Sequence, residues 1–246
     1  MKTSAASDSL INLAKNTKAK ELRAAFQAAF PHTIPMLTSV PVLGITYGVL
    51  MQTKGYGVLW STLMSAIAFC GSMQFAAITM LTTAFTPIQA FLLSLLVNAR
   101  HLFYGISMLD KYKGMGKTKG FLIYVMADET FSVCCTALLA SQIKSKYFYF
   151  WVSFLVYFYW VAGTFLGGIL GNFIKINTKG LDFTLTALFT VLFLEQWRKP
   201  KNRPAAIIGI VCSVISLLIF GRTNFIIPAM IFMVVLLMTG RKKLWS

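Results

Sequence analysis

Near-continuous apolar runs limit this chain more than any other feature. Eight stretches are apolar, near residues 35–51, 60–83, 88–109, 121–140, 148–171, 183–197, 205–220 and 225–239. Only short connections separate them. A helix that crosses the hydrocarbon of a bilayer needs about 20 mainly apolar residues, and most of these runs approach or reach that length. They are too long for strands and do not alternate with period two, so they read as helices and not as the strands of a membrane β-barrel. The sequence predicts an all-α, polytopic transmembrane helix bundle of about six to eight hydrophobic segments, broken or re-entrant segments among them. Residues 35–240 form a single transmembrane domain, preceded by an N-terminal segment over 1–34 and followed by a basic tail over 241–246.

Two runs invite interruption. The first contains Pro41, and proline removes a helical hydrogen bond. The sixth is only about fifteen residues long, short of a full span. A helix is broken at membrane depth only where protein or a water-filled cavity satisfies its backbone, so such segments point to transport sites; a packed kink is the alternative.

Composition agrees with this class. Of the 246 residues 57% are hydrophobic and 12% charged, against about a quarter charged in soluble domains. The net charge of +16 does not imply nucleic acid, because the bases lie in connections flanking the runs and no basic stripe sits on a soluble domain. They suit topology signals and anionic lipid headgroups. Lys15, Lys18, Lys20 and Arg23 form one cluster, Lys111, Lys113, Lys117 and Lys119 a second, and Arg198, Lys199, Lys201 and Arg203 a third. If every run crosses, the first two fall on opposite sides. All three share a side only if one of the first three runs and one of the next three fail to cross. Residues 1–30 lack the features of a cleavable signal peptide. Leu10, Leu13, Leu22, Phe26 and Phe30 allow amphipathic turns of a helix at the membrane surface.

Cys70, Cys134, Cys135 and Cys212 lie in apolar runs without metal-ligand spacing; they read as small buried hydrophobes, and no metal or cofactor is implied. Gly163, Gly167 and Gly171 recur four apart, a small-residue face on which another helix backbone approaches closely. His32 takes no role. Asp182 and Glu195 sit at segment ends, Asp182 as a helix N-cap.

Charges inside spans are costly and become functional candidates by default. The chain has one compact set: Gln74 in the second run, Asn98, Arg100 and His101 in the third, and Asp128 and Glu129 in the fourth. Counting from the connections at 1.5 Å per residue places them near one depth. Arg100 calls for Asp128 or Glu129 as partner. These neighbours point about 100° apart on a helix, so one pairs while the other faces a pathway. The guanidinium suits a substrate carboxylate, an acid suits an ammonium or a proton, and His101 suits a proton relay. A permanent ion pair that only fixes helix register is the alternative, as is plain interhelical bonding for Gln74 and Asn98. A hydrolase built on Ser72 and His101 lacks an oxyanion-hole pattern, so no catalytic residue is assigned. No phosphate-binding GxxxxGK[ST] loop is present, so energy comes from an ion gradient or another subunit. A scaffold without transport activity is the third reading.

The same residues carry a resemblance. Gly71-Ser72-Met73-Gln74-Phe75-Ala76-Ala77, Asn98-Ala99-Arg100-His101-Leu102-Phe103-Tyr104, Asp128-Glu129-Thr130-Phe131 and Gly180-Leu181-Asp182-Phe183, the last followed by Ala187-Leu188-Phe189, resemble motifs of the AzlC family, colinear over most of residues 20–240. Ala127 stands where a Thr is common before the acidic pair. The resemblance implies the large subunit of a bacterial branched-chain amino acid exporter, moving Leu, Ile, Val and Met with the proton gradient. It also implies a small hydrophobic AzlD-type partner and multi-pass residence in the cytoplasmic (inner) membrane.

Overall fold

A computed structural model describes residues 2–82, 87–137, 139–141, 143–173 and 203–225, with scattered residues between 190 and 200 and between 228 and 236; side chains 2–15, 96 and 222–224 are not among those described. The helices are α1 (Lys2–Thr53), α2 (Val58–Ala68), α3 (Gly71–Thr82), α4 (Pro87–Met108), α5 (Thr118–Tyr124), α6 (Asp128–Thr136), α7 (Ser145–Phe173) and α8 (Arg203–Asn224). No strand occurs among the described residues. Among the described residues, four helical stretches are long and apolar enough to cross a membrane: Asn16–Thr53, Pro87–Met108, Ser145–Phe173 and Arg203–Gly221. Most of the sixth run, Asp182, Glu195 and the tail over 241–246 lie outside the described residues.

The chain forms two compact units. Unit 2 comprises Thr79–Asn98 and Ile176–Ser246. It holds the first half of α4 and also α8, whose helical geometry is interrupted at Gly221 with φ 71°. Leu218 and Ile219 on α8 are largely exposed, as suits a lipid-facing helix. Unit 1 comprises Met1–Ile78 and Ala99–Lys175 and carries the polar residues described below.

Unit 1 is built on two long parallel helices, α1 and α7. Their contacts run in register from one end to the other. Glu21 pairs with Lys144 at 2.7 Å, Trp151 Nε1 donates to Leu22 O, Thr33 meets Tyr159, and Gln52 Nε2 donates to Asn172 Oδ1 at 2.6 Å. Between these anchors the backbones touch. A Cβ on Gly44 would lie 2.8 Å from Trp160 O, and one on Gly163 would lie 2.6 Å from Pro41 O. A Cβ on Gly48 or Gly167 would strike the carbonyl of Thr164 or Ile45. The glycine face of α7 thus meets a second on α1, and only glycine permits the approach.

α1 is one helix through Pro31, Pro35 and Pro41, so the interruption expected in the first run does not occur there. His32 Nδ1 meets Ala28 O, and the hydroxyls of Thr33 and Thr38 donate to Phe30 O and Pro35 O. These side-chain bonds lie in the turns that carry Pro31 and Pro35. The helix also continues past residue 34, where the sequence divides an N-terminal segment from the first run.

The breaks fall instead in the second and fourth runs. α2 has 11 residues, about 16 Å at 1.5 Å each and half a bilayer core. It descends against α7: Val58 lies by Gly168, Ser65 bonds Thr164, and Phe69 packs on Tyr157. Phe69 then adopts φ 34°, a left-handed conformation that turns the chain. α3 returns, with Gly71 against Trp160 and Phe75 against Tyr47. The fourth run behaves alike from the opposite end. Phe121 of α5 packs on Phe150, near the start of α7, and Tyr124 reaches the α2 terminus. α6 then runs back beside α4, with Phe131 stacked on Tyr104 and the Cys134 and Cys135 carbonyls bonded by Lys111. Each run is a re-entrant hairpin of two half-helices, and the two enter from opposite ends.

This accounts for the charge pattern within unit 1. Lys18, Lys20 and Arg23 on α1, the lysines over 111–119, and Lys144 with Lys146 all lie at the end where α1 and α7 begin. Ala29, Met108, Tyr112, Leu122 and Phe148 share the apolar cluster there. Lys144 is held above its ordinary lysine range by its hydrogen bond to Glu21. The first two basic clusters share this end because the second run turns back.

Candidate functional site at the hairpin tips

The turn of each hairpin exposes helix ends at membrane depth, where an unsatisfied carbonyl costs several kcal/mol. The Ala66 and Ile67 carbonyls at the end of α2 are met by side chains of other elements. The Tyr124 hydroxyl, from the last residue of α5, reaches both, and Tyr157 of α7 donates to Ala66 O at 3.0 Å. At the second tip Thr130 closes the first turn of α6: its Oγ accepts from Ala127 N at 2.8 Å and donates to Ala127 O. Thr130 thereby serves the turn at which Ala127 offers no hydroxyl.

Arg100, on α4, joins the tips. Its Nη1 donates to Asp128 Oδ2 at 2.5 Å and its Nη2 donates to Ser72 Oγ at 2.7 Å. Asp128 opens α6 and Ser72 sits in the first turn of α3. Two half-helix N-termini, each a site of partial positive charge, therefore meet one guanidinium and one carboxylate. The Arg100 and Asp128 side chains are 40% and 43% exposed. Among the described residues, Arg100 Nε and Asp128 Oδ1 are buried atoms without a hydrogen-bond partner. Tyr104, stacked on Phe131 at 4.3 Å, carries its hydroxyl into the field of Asp128, Arg100 and Glu129 without a well-formed bond to Oδ1. Cys70, half-buried at the first tip, lies in the field of Arg100 and Asp128.

The other sequence candidates take different places. Gln74 is 1% exposed and belongs to a separate buried network: its Nε2 donates to Ser65 Oγ at 2.9 Å, and Trp160 Nε1 donates to its Oε1 at 2.9 Å. Ser65 bonds Thr164, which donates to Trp160 O. The amide thus fastens the first hairpin to α7. Asn98 lies in unit 2 and donates to Ser94 Oγ, one turn back, at 3.4 Å. His101 is half-buried with its ring edge-on to Tyr104 at 5.7 Å. Glu129 is half-buried in the first turn of α6. Ser72 enters as a partner of Arg100, a role its Gly-Ser setting did not signal. No cluster of metal ligands occurs among the described residues.

Comparison with known proteins adds an independent line. The profile of the AzlC protein family matches residues 35–174. The branched-chain amino acid transport protein AzlC of Bacillus subtilis (strain 168) is 48% identical over 227 residues, covering 92% of this chain and 89% of that protein. An uncharacterised membrane protein of Haemophilus influenzae is 37% identical, covering 88% and 89%. The inner membrane protein YgaZ of Escherichia coli (strain K12) is 25% identical, covering 78% and 82%. No solved structure matches. With its motifs, its helical architecture and these similarities in agreement, the chain is a membrane protein of the AzlC family.

Proposed function

We propose that this chain is the large subunit of a secondary exporter of branched-chain amino acids in the bacterial cytoplasmic membrane. It is driven by the proton gradient and works with a small hydrophobic AzlD-type subunit. The observation that carries the reading is the Arg100 junction. Discontinuous helices whose N-terminal turns converge at mid-depth are the arrangement in which transporters bind charged substrate groups. Here a partly exposed guanidinium and carboxylate lie at the point of convergence. The name of the Bacillus subtilis relative supplies the substrate class.

The test is efflux of labelled leucine from cells expressing the chain, with and without the small subunit, with Arg100→Ala beside the wild type. Partner-dependent efflux, reduced at least about a hundredfold in a mutant present at wild-type level, is the expected result. Equal efflux from both would refute a transport site at the junction.

A further inference from the structure

The Arg100–Asp128 contact is an incomplete ion pair. An arginine and a carboxylate of free geometry frequently form two parallel hydrogen bonds. Here one bond forms, from Nη1 to Oδ2, while Ser72 takes Nη2. Nε is left as a buried donor and Oδ1 as a buried acceptor, neither with a partner among the described residues. Asp128 is fixed to the first turn of α6, which holds its carboxylate end-on. The unmet groups are one donor on the cation and one acceptor on the anion. A carboxylate satisfies the first and an ammonium the second. An α-amino acid carries both.

We propose that the Arg100–Asp128 pair is a self-occupied zwitterion site: an α-amino acid inserts between the two side chains, its carboxylate on Arg100 and its ammonium on Asp128. This rests on the transport reading above and specifies how its site recognises substrate. Charge balances without proton transfer, because two opposite charges enter between two opposite charges. A ligand with only one charge is rejected, because it displaces one side chain and leaves the other charged and unpaired at membrane depth. Insertion also breaks the direct bond by which α4 holds the second hairpin, while Ser72 still holds the first. Occupancy is thereby linked to the freedom of the α6 tip. The groups around Asp128 are Arg100 and Tyr104 from α4, Cys70 from the first tip and Glu129 beside it on α6, with His101 against Tyr104. Of these, Arg100 alone is a permanent cation.

The test uses the full chain, purified with its co-expressed small subunit, and three probes of one shape: leucine, leucinamide without the carboxylate, and 4-methylpentanoate without the amine. Wild-type protein is expected to bind leucine at least about tenfold tighter than either single-charge probe. Asp128→Asn is expected to invert the order and bind 4-methylpentanoate at least about tenfold tighter than wild type does, since a lone cation then remains. Wild-type protein that binds 4-methylpentanoate or leucinamide as tightly as leucine overturns the proposal, even if the variant fails to fold. So does a folded Asp128→Asn protein that keeps the wild-type order. Both results leave leucine transport standing. Binding of none of the three probes by wild type sinks the transport reading and the zwitterion site together.

Discussion

Arg100 carries five N–H donors in a planar fork, and this geometry distinguishes it from a bare positive charge. Asp128 and Ser72 sit at two prongs of the fork. Lysine keeps the charge but presents a single ammonium on a flexible stem. Arg100→Lys should therefore lower leucine efflux at least about tenfold at equal expression, measured as initial rate. Gln74 differs in kind, because both ends of its amide are engaged in a closed network. Gln74→Leu leaves the Trp160 N–H and the Ser65 hydroxyl short of a partner, at a cost of about 1–3 kcal/mol. The expected outcome is a lower midpoint of thermal unfolding in detergent. The pairing of Arg100 with an acid was legible in the sequence, because a charge inside a span has few stable fates. The partners of Gln74 were not. Ser65, Thr164 and Trp160 are unremarkable inside apolar runs, and the turn at Phe69 that brings Gln74 to them has no proline to mark it.

At the scale of elements, each interruption has its own compensation. The α2 terminus depends on hydroxyls from α5 and α7, so the first hairpin is tied to the second at two places, through Tyr124 and through Arg100. Tyr124→Phe removes one tie at a cost of about 1 kcal/mol. Amide hydrogen exchange over residues 67–72 should quicken severalfold while α7 stays protected. The α1–α7 pair is the opposite case, a frame with backbones in direct contact. Gly167→Val puts a side chain into the Ile45 carbonyl. It should cost at least the roughly 1–3 kcal/mol of ordinary overpacking, lowering the unfolding midpoint or preventing folding. Gly105→Ala, where a Cβ meets nothing within 4 Å, should not lower that midpoint, since alanine is the better helix former. The glycine spacing on α7 announced close packing, but its partner was hidden because Gly44 and Gly48 stand near a proline that suggests a break. Pro41 misleads because α1 is packed there, backbone to backbone, on the glycine face of α7.

For the whole molecule, the hydrophobic pattern revealed the class and the depth of the polar residues but not the path of the chain. An apolar run that crosses and one that turns back have the same composition. They differ at a single left-handed residue or a three-residue gap. The path through unit 1 assembles the lysines over 111–119 with Lys18, Lys20 and Arg23 at one end, and the positive-inside rule assigns that end to the cytoplasm. In a variant with the four native cysteines replaced by alanine, Lys113→Cys should be modified by a membrane-impermeant maleimide only from the cytoplasmic side, and Gly55→Cys only from the opposite side. The central claim, that substrate binds where the hairpin tips meet, has a native reporter in Cys70, half-buried and in the field of Arg100 and Asp128. The direct measurement is the rate at which a small methanethiosulfonate modifies Cys70 in protein with Cys134, Cys135 and Cys212 replaced by alanine, with and without saturating leucine. Slowing of at least about fivefold by leucine, and none by leucinamide, is predicted. An unchanged rate in protein that still moves leucine would contradict the account.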